Sequence, residues 1–91
     1  MAAIAISPLG SRKFLVQVSD GGEQTTHEVT VPARLDDGLQ FGDHDLERVV
    51  RESFRFLLER ERASSILARF SLNDIARYFP SYPEEIARRL R

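Results

Sequence analysis

Cysteine is absent from this 91-residue sequence, which excludes disulfide staples, thiolate metal sites and a cysteine nucleophile. A fold of this size must then rest on its apolar core, helped where needed by self-association. A reducing cytoplasm fits that composition, and cytoplasmic is the expected location. Long hydrophobic runs are missing too. No stretch approaches the ~20 apolar residues of a membrane span, and the start lacks the charged and apolar regions of a secretory signal. No membrane partner is expected. An excess of one charge is also missing: thirteen Lys+Arg against fourteen Asp+Glu leave a formal net charge of −1. No global field therefore draws the chain to nucleic acid or anionic lipid. Lysine is nearly absent, Lys13 standing against twelve Arg, a bias that GC-rich coding accounts for more simply than a selected guanidinium surface. The length leads to the expectation of one small domain, residues 1–91, rather than a multidomain enzyme.

The near-neutral total hides a division. Residues 1–45 carry three basic groups against seven acids, whereas residues 46–91 carry ten Arg against seven acids. Such asymmetry steers a partner or favours self-contact, although salt screens it within about 8–10 Å.

Three parts follow from the pattern: a β-rich part (1–32), a connector (33–44) and a helical part (45–91). In the first, Phe14, Val16 and Val18 fall on one face, with Lys13 and Gln17 on the other and Leu15 between them, and His27, Val29 and Val31 alternate with Thr26, Glu28 and Thr30. Period two marks strands with one buried face. Asp20-Gly21-Gly22 between them supplies positive φ for a turn, so an antiparallel hairpin is expected. Ile4 and Ile6 add a further strand, joined through Pro8-Leu9-Gly10, which makes a three-stranded meander. In the connector, Leu35, Leu39 and Phe41 are expected to tack the chain to the core.

At Leu46 the period becomes helical. Leu46, Val49, Val50, Phe54, Leu57 and Leu58 form one stripe, and Asp43 or Asp45 caps its start. Glu47 with Arg51 is a favourable pair four residues apart, with reversed pairs Arg48–Glu52 and Arg55–Glu59 beside it. Phe56 falls off the stripe, which makes it a second packing surface or an exposed aromatic. Three short helical pieces are expected downstream: Ile66–Phe70 capped by Ser64 or Ser65, a capping box Ser71-Leu72-Asn73-Asp74 ending at Phe79 before Pro80, and a second box Ser81-Tyr82-Pro83-Glu84. Ile86 and Leu90 of the last helix face inward. The expected class is α+β: a hairpin or meander, then one long amphipathic helix and two to three short ones.

Residues with chemical potential have plainer uses. Asp36, Asp37, Asp43, His44 and Asp45 cluster, but their spacing lacks the alternation and closing Glu of a calcium loop. A solvated loop and a helix cap account for them. His27 shares a strand face with Val29 and Val31 and reads as a partly buried, hydrogen-bonded imidazole. No serine is paired by the sequence with a base and an orienting acid, and Gly21-Gly22 is not followed by a helix that would cradle phosphate. No catalytic residue, metal, cofactor or small-molecule substrate is expected, and the chain is read as a non-enzyme. Six of the eight aromatics lie in the second half, interleaved with Arg, a composition enriched at binding hot spots. Phe56, Arg77, Tyr78, Tyr82, Arg88 and Arg89 form the candidate interaction surface.

The tail from Ser71 to Leu90 resembles, in spacing, the helix-turn-helix of bacterial repressors. In that family a small residue at the place of Ala76 lets two helices approach, and residues like Ile75, Phe79 and Ile86 form their mutual core. Two features depart from the family: Pro80 where a left-handed glycine is usual, and Glu84 and Glu85 at the end that meets base edges. The stretch of about residues 52–80, with Phe54-Arg55-Phe56-Leu57-Leu58 and Ile75-Ala76-Arg77-Tyr78-Phe79-Pro80, resembles short uncharacterised bacterial proteins, a likeness that brings no activity. The expected function is a non-catalytic protein–protein interaction module whose partner is another protein or a second copy. The alternative is a small DNA-binding regulator or antitoxin-like protein using the C-terminal helices.

Overall fold

The structure, a computed structural model, describes residues 2–34 and 45–91. The expected contacts of Leu35, Leu39 and Phe41, and the acidic cluster at Asp36, Asp37, Asp43 and His44, lie outside the described residues. The fold is α+β, with a four-stranded sheet and three α-helices among the described residues. Strands β1 (Ala3–Gly10), β2 (Lys13–Asp20) and β3 (Glu23–Thr30) form an antiparallel meander. Gly21 and Gly22 turn between β2 and β3 at φ +59° and +90°, a conformation that side chains with a Cβ rarely take.

The first turn departs from expectation. Pro8-Leu9-Gly10 belongs to β1, and the chain reverses at Ser11 and Arg12 instead. Proline is tolerated because β1 is an edge strand, where a missing N–H breaks no ladder bond. The pairing with β2 shifts between Pro8 and Gly10, which leaves Leu9 bulged and half exposed. Arg12 fixes this turn to the end of β3: its Nε donates to the Val31 carbonyl at 2.8 Å and its Nη2 to that of Pro32 at 2.7 Å.

Helix α1 (Leu46–Leu58) begins at Asp45, whose carboxylate accepts from the Glu47 amide at 3.0 Å. It also carries the chain back across the sheet, because the next strand, β4 (Arg69–Ser71), runs parallel to β3, and parallel neighbours need a crossover. Here the expectation of a helix over residues 66–70 is corrected. Ala63–Ser65 form a single 3₁₀ turn, and Phe70 then pairs with Val29 as part of the sheet. Ser64 and Ser65 lie inside that turn and cap nothing. The helical part thus donates a strand to the β part.

Helix α2 (Leu72–Tyr78) forms the expected capping box: Asn73 donates its amide to Ser71 Oγ, and Asp74 accepts from the Ser71 amide at 3.0 Å. It stops at Phe79, before Pro80. The box expected for α3 (Tyr82–Arg89) does not form. Ser81 already has helical backbone angles and its hydroxyl makes no capping bond; the Tyr82 amide is held by the Phe79 carbonyl in the preceding turn.

The core lies on both sides of α1. Ile4, Ile6, Phe14, Val16, Val18, His27, Val29 and Phe70 share one sheet face through direct cross-strand pairing. On α1, Val50, Phe54 and Leu57 fall on one helical stripe, and Phe54 stacks at a tilt on His27 and Phe70. A second stripe, Val49, Ser53 and Phe56, is equally buried. It faces the tail, where Phe56 meets the edges of Phe79 and Tyr82 at 5.9 and 5.3 Å between ring centres. Each fully buried aromatic of this kind contributes about 1.5–3 kcal/mol of transfer free energy.

Both edges of the sheet are partly blocked. On β1, Pro8 has no amide to offer, and the Ile4 carbonyl is taken by Arg51 Nη1 at 2.9 Å. On β4 there are only three residues, and the Ser71 amide is held by Asp74. An edge blocked in these ways resists the addition of a foreign strand.

Candidate functional site

The structure scatters the candidate interaction surface. Phe56 and Tyr82 are fully buried and belong to the core. The Tyr82 hydroxyl lies 2.7 Å from Ser53 Oγ, which itself donates to the Val49 carbonyl at 2.7 Å, so the phenol donates to the serine. Burial pushes the Tyr82 pKa well up, against a smaller opposing pull from the Ser53 hydrogen bond. Phe56 is roofed by Arg60, whose guanidinium sits 3.7 Å from the ring centre.

Arg89 is not a free cation either. It bridges α3 to α1 through Glu59 at 2.7 Å and Glu52 at 3.9 Å, with Glu85 of its own helix at 3.5 Å. Burial works against its charge, and the hydrogen bonds and attraction of Glu59 and Glu85 outweigh it and raise its pKa. The reversed pairs expected on α1 are replaced accordingly. Arg55 bonds Glu52 at 2.6 Å, Arg48 donates to the Arg89 carbonyl at 3.0 Å, and Glu59 turns to Arg89. Arg88 is exposed and pairs with Glu84 at 3.4 Å; Arg77 is exposed and pairs with Asp74 at 3.3 Å. Tyr78 alone of the six presents a large apolar surface to solvent, at 70% exposure.

Two ion pairs use the charge division seen in the sequence. Arg62 meets Glu23 at 3.0 Å and Arg69 meets Glu28 at 2.9 Å. Basic groups of the second half thus close on acids of the first, and part of the asymmetry is neutralised inside the molecule. Exposed pairs of this sort contribute about 0.2–1 kcal/mol each, so they align the halves more than they hold them.

His27 is buried and hydrogen-bonded at both ring nitrogens. A carbonyl only accepts, so Nδ1 carries a proton and donates to the Leu67 oxygen at 2.8 Å. With that tautomer, Nε2 accepts from the Thr25 hydroxyl at 2.8 Å. The imidazole therefore pins the chain at Leu67 onto the sheet. No three His, Asp or Glu residues converge on a metal-sized point among the described residues.

That pinned segment forms one wall of an apolar cleft of about 350 Å³. Its floor is Leu57, Ile66, Phe70 and Ile75, which belong to α1, the segment before β4, β4 itself and α2. Leu67 and Tyr78 stand on its rim, 51% and 70% exposed, with Phe79 partly buried beside them. Glu61 and Asp74 supply its acidic groups. A larger hollow of about 440 Å³ lies between the start of β1 and α1, but Asp20, Arg51, Arg55 and Glu59 line much of it. Of the three large apolar side chains exposed among the described residues, Leu9, Leu67 and Tyr78, two share the rim of the apolar cleft.

The sequence points to Tyr78 and misses Leu67, Ile66, Phe70 and Glu61. A helix over 66–70 would put Leu67 and Phe70 on one face; in the extended segment that forms instead, Phe70 turns inward and Leu67 stays at the surface. Compared with known proteins, the chain matches no protein-family model, no curated protein and no solved structure. No helix among the described residues is long and apolar enough to cross a membrane.

Proposed function

We propose that this chain is a non-catalytic, cytoplasmic protein-binding module that docks its partner in the cleft rimmed by Leu67 and Tyr78. The observation that supports this most is the placing of two exposed apolar side chains around one concavity of about 350 Å³. Large apolar groups left in water around a hollow are typical anchors of recognition, since covering them releases transfer free energy at one spot. The partly blocked sheet edges, with Pro8 and the engaged Ile4 carbonyl on β1 and a β4 of three residues, favour side-chain contacts over strand addition. A cytoplasmic setting belongs to the same proposal, because a core without disulfides suits a reducing compartment.

The DNA-binding alternative has less support. Arg88 and Arg89 are engaged by Glu84, Glu59 and Glu85, and Glu84 stands exposed at the start of α3, where a phosphate or base edge would meet a carboxylate. We expect no shift of duplex DNA at low salt and micromolar protein. A shift that Arg88→Ala weakens would reinstate that alternative.

The docking reading is tested by affinity capture with the unaltered chain and with a Leu67→Ser, Tyr78→Ser double variant. Both substitutions fall on exposed side chains, so the fold should survive, as circular dichroism will verify. A protein retained by the former and lost by the latter is the expected result. Identical retention by both removes the cleft from consideration. Light scattering on the same samples reports whether a second copy is what binds.

A further inference from the structure

The two acids of the cleft differ in their circumstances. Asp74 is committed, accepting from the Ser71 amide and pairing with Arg77. Glu61 stands just past the end of α1, half-buried beside Leu57 and Ile66, and has no ion pair among the described residues. Its two sequence neighbours are arginines, and both turn away: Arg60 lies over the Phe56 ring and Arg62 reaches Glu23. The carboxylate is thus left against apolar side chains, and desolvation pushes its pKa up, as expected of a charge that nothing offsets.

Resting on the docking reading above, we infer that the occupant is a segment of a partner protein presenting two apolar side chains to Leu67 and Tyr78 and one Lys or Arg to Glu61. A cation brought to that point compensates the carboxylate while the neighbouring apolar groups exclude water, which strengthens the pair relative to one in open solvent. An acidic segment meets repulsion at the same place. A second copy of this chain is the rival occupant, since Arg62, Arg69, Arg77 and Arg88 have carboxylate partners of their own but exposed Arg34 and Arg91 have none among the described residues, and the concentration series below separates the two.

The test uses the whole chain, isotopically labelled, and two pools of twelve-residue synthetic peptides. Both pools carry the same pairs of Leu, Ile and Phe; one has Lys at a fixed neighbouring position and the other has Glu. Amide shifts are followed by NMR during titration. The Lys pool should perturb Leu67, Ile75 and Tyr78, and Glu61→Gln should weaken it roughly three- to fivefold, the scale of a partly solvated ion pair. The Glu pool should bind more weakly and ignore Glu61→Gln. Leu67→Ser should weaken both. Equal binding of the two pools, or indifference of the Lys pool to Glu61→Gln, overturns the cation requirement while leaving the cleft a docking site. Silence of the cleft amides toward both pools overturns the docking reading together with it. Concentration-dependent shifts of those amides without peptide assign the cleft to a second copy and overturn the inference.

Discussion

On the sheet side of α1, Val50, Phe54 and Leu57 meet a surface whose shape is already fixed by backbone ladders, and His27 and Phe70 receive the Phe54 ring. On the tail side, Val49, Ser53 and Phe56 meet two short helices that no ladder ties down, and side chains must do the fixing: the Ser53–Tyr82 bond, the edge contacts of Phe56, and Arg89 across to Glu52 and Glu59. Isolated helices of seven or eight residues are not stable in water. The tail therefore depends on α1 far more than α1 depends on the tail. The same helix serves as a lid for one neighbour and a floor for the other.

The largest effect should come from removing the ring at the centre of each side. Phe54→Ala and Phe56→Ala should each cost about 3–5 kcal/mol in urea unfolding, a large share of a small domain's stability. Their signatures should differ under hydrogen exchange. Phe54→Ala should lower protection throughout, whereas Phe56→Ala should release α2 and α3 first and spare β1 to β3. Uniform loss in both variants would mean that the two sides form one cooperative unit.

Next is the buried hydroxyl pair. Ser53→Ala strands the Tyr82 hydroxyl without its acceptor and should cost about 1–3 kcal/mol. Tyr82→Phe leaves Ser53 still bonded to the Val49 carbonyl and should cost about 0.5–1.5 kcal/mol. Adding Tyr82→Phe to Ser53→Ala should recover part of the loss, and a fully additive double variant would show that the hydroxyls act independently.

Arg89→Ala should cost about 1 kcal/mol in low salt and less in high salt, since Glu59 is largely in water and the Glu52 contact is long. A salt-independent loss would assign the effect to packing of the arginine stem instead. The smallest effect belongs to Glu61. Its pKa is raised in the folded chain, so the folded state holds that proton more tightly than the unfolded state, and the carboxylate weakens the fold once pH passes above the glutamate range. Glu61→Gln should thus raise the melting temperature slightly at neutral pH and bring no gain below the glutamate range. A gain that persists in acid would point away from desolvation.

Much of the sheet side is legible in the sequence, because period two over Phe14 to Val18 and over His27 to Val31 fits little but a strand with one buried face. The Gly21-Gly22 turn and the Ser71 capping box are local signals, and both form where their residues place them. Ser53 hides the second stripe of α1. A serine between charged and apolar neighbours reads as surface, yet its hydroxyl is consumed by Val49 and Tyr82, and with it buried Val49, Ser53 and Phe56 become a continuous face. Strand β4 is illegible for another reason. Three residues carry too little pattern, and what makes them a strand is the waiting edge of β3, about forty residues earlier in the chain. The cleft shares that fate, since its rim at Leu67 is set by the hydrogen bond to His27, a long-range contact with no local trace. Phe56 and Tyr82 lie in the core and Arg89 in an ion-pair bridge, because an aromatic–Arg composition serves a small core as readily as a binding face.

Strand β4 has a consequence for how the chain can be divided. The first 34 residues hold a meander whose inner face lacks the α1 cover and whose β3 lacks its outer neighbour; residues 45–91 hold the cover and the neighbour but no sheet to rest on. Neither stretch closes a core by itself. A cut made between them turns one folding reaction into the association of two complementary fragments, with Arg62 and Glu23, and Arg69 and Glu28, as the charge pairs that set their register. Reassembly would then vary with fragment concentration, and any label that the fragments carry at their new ends would report directly on the folded state.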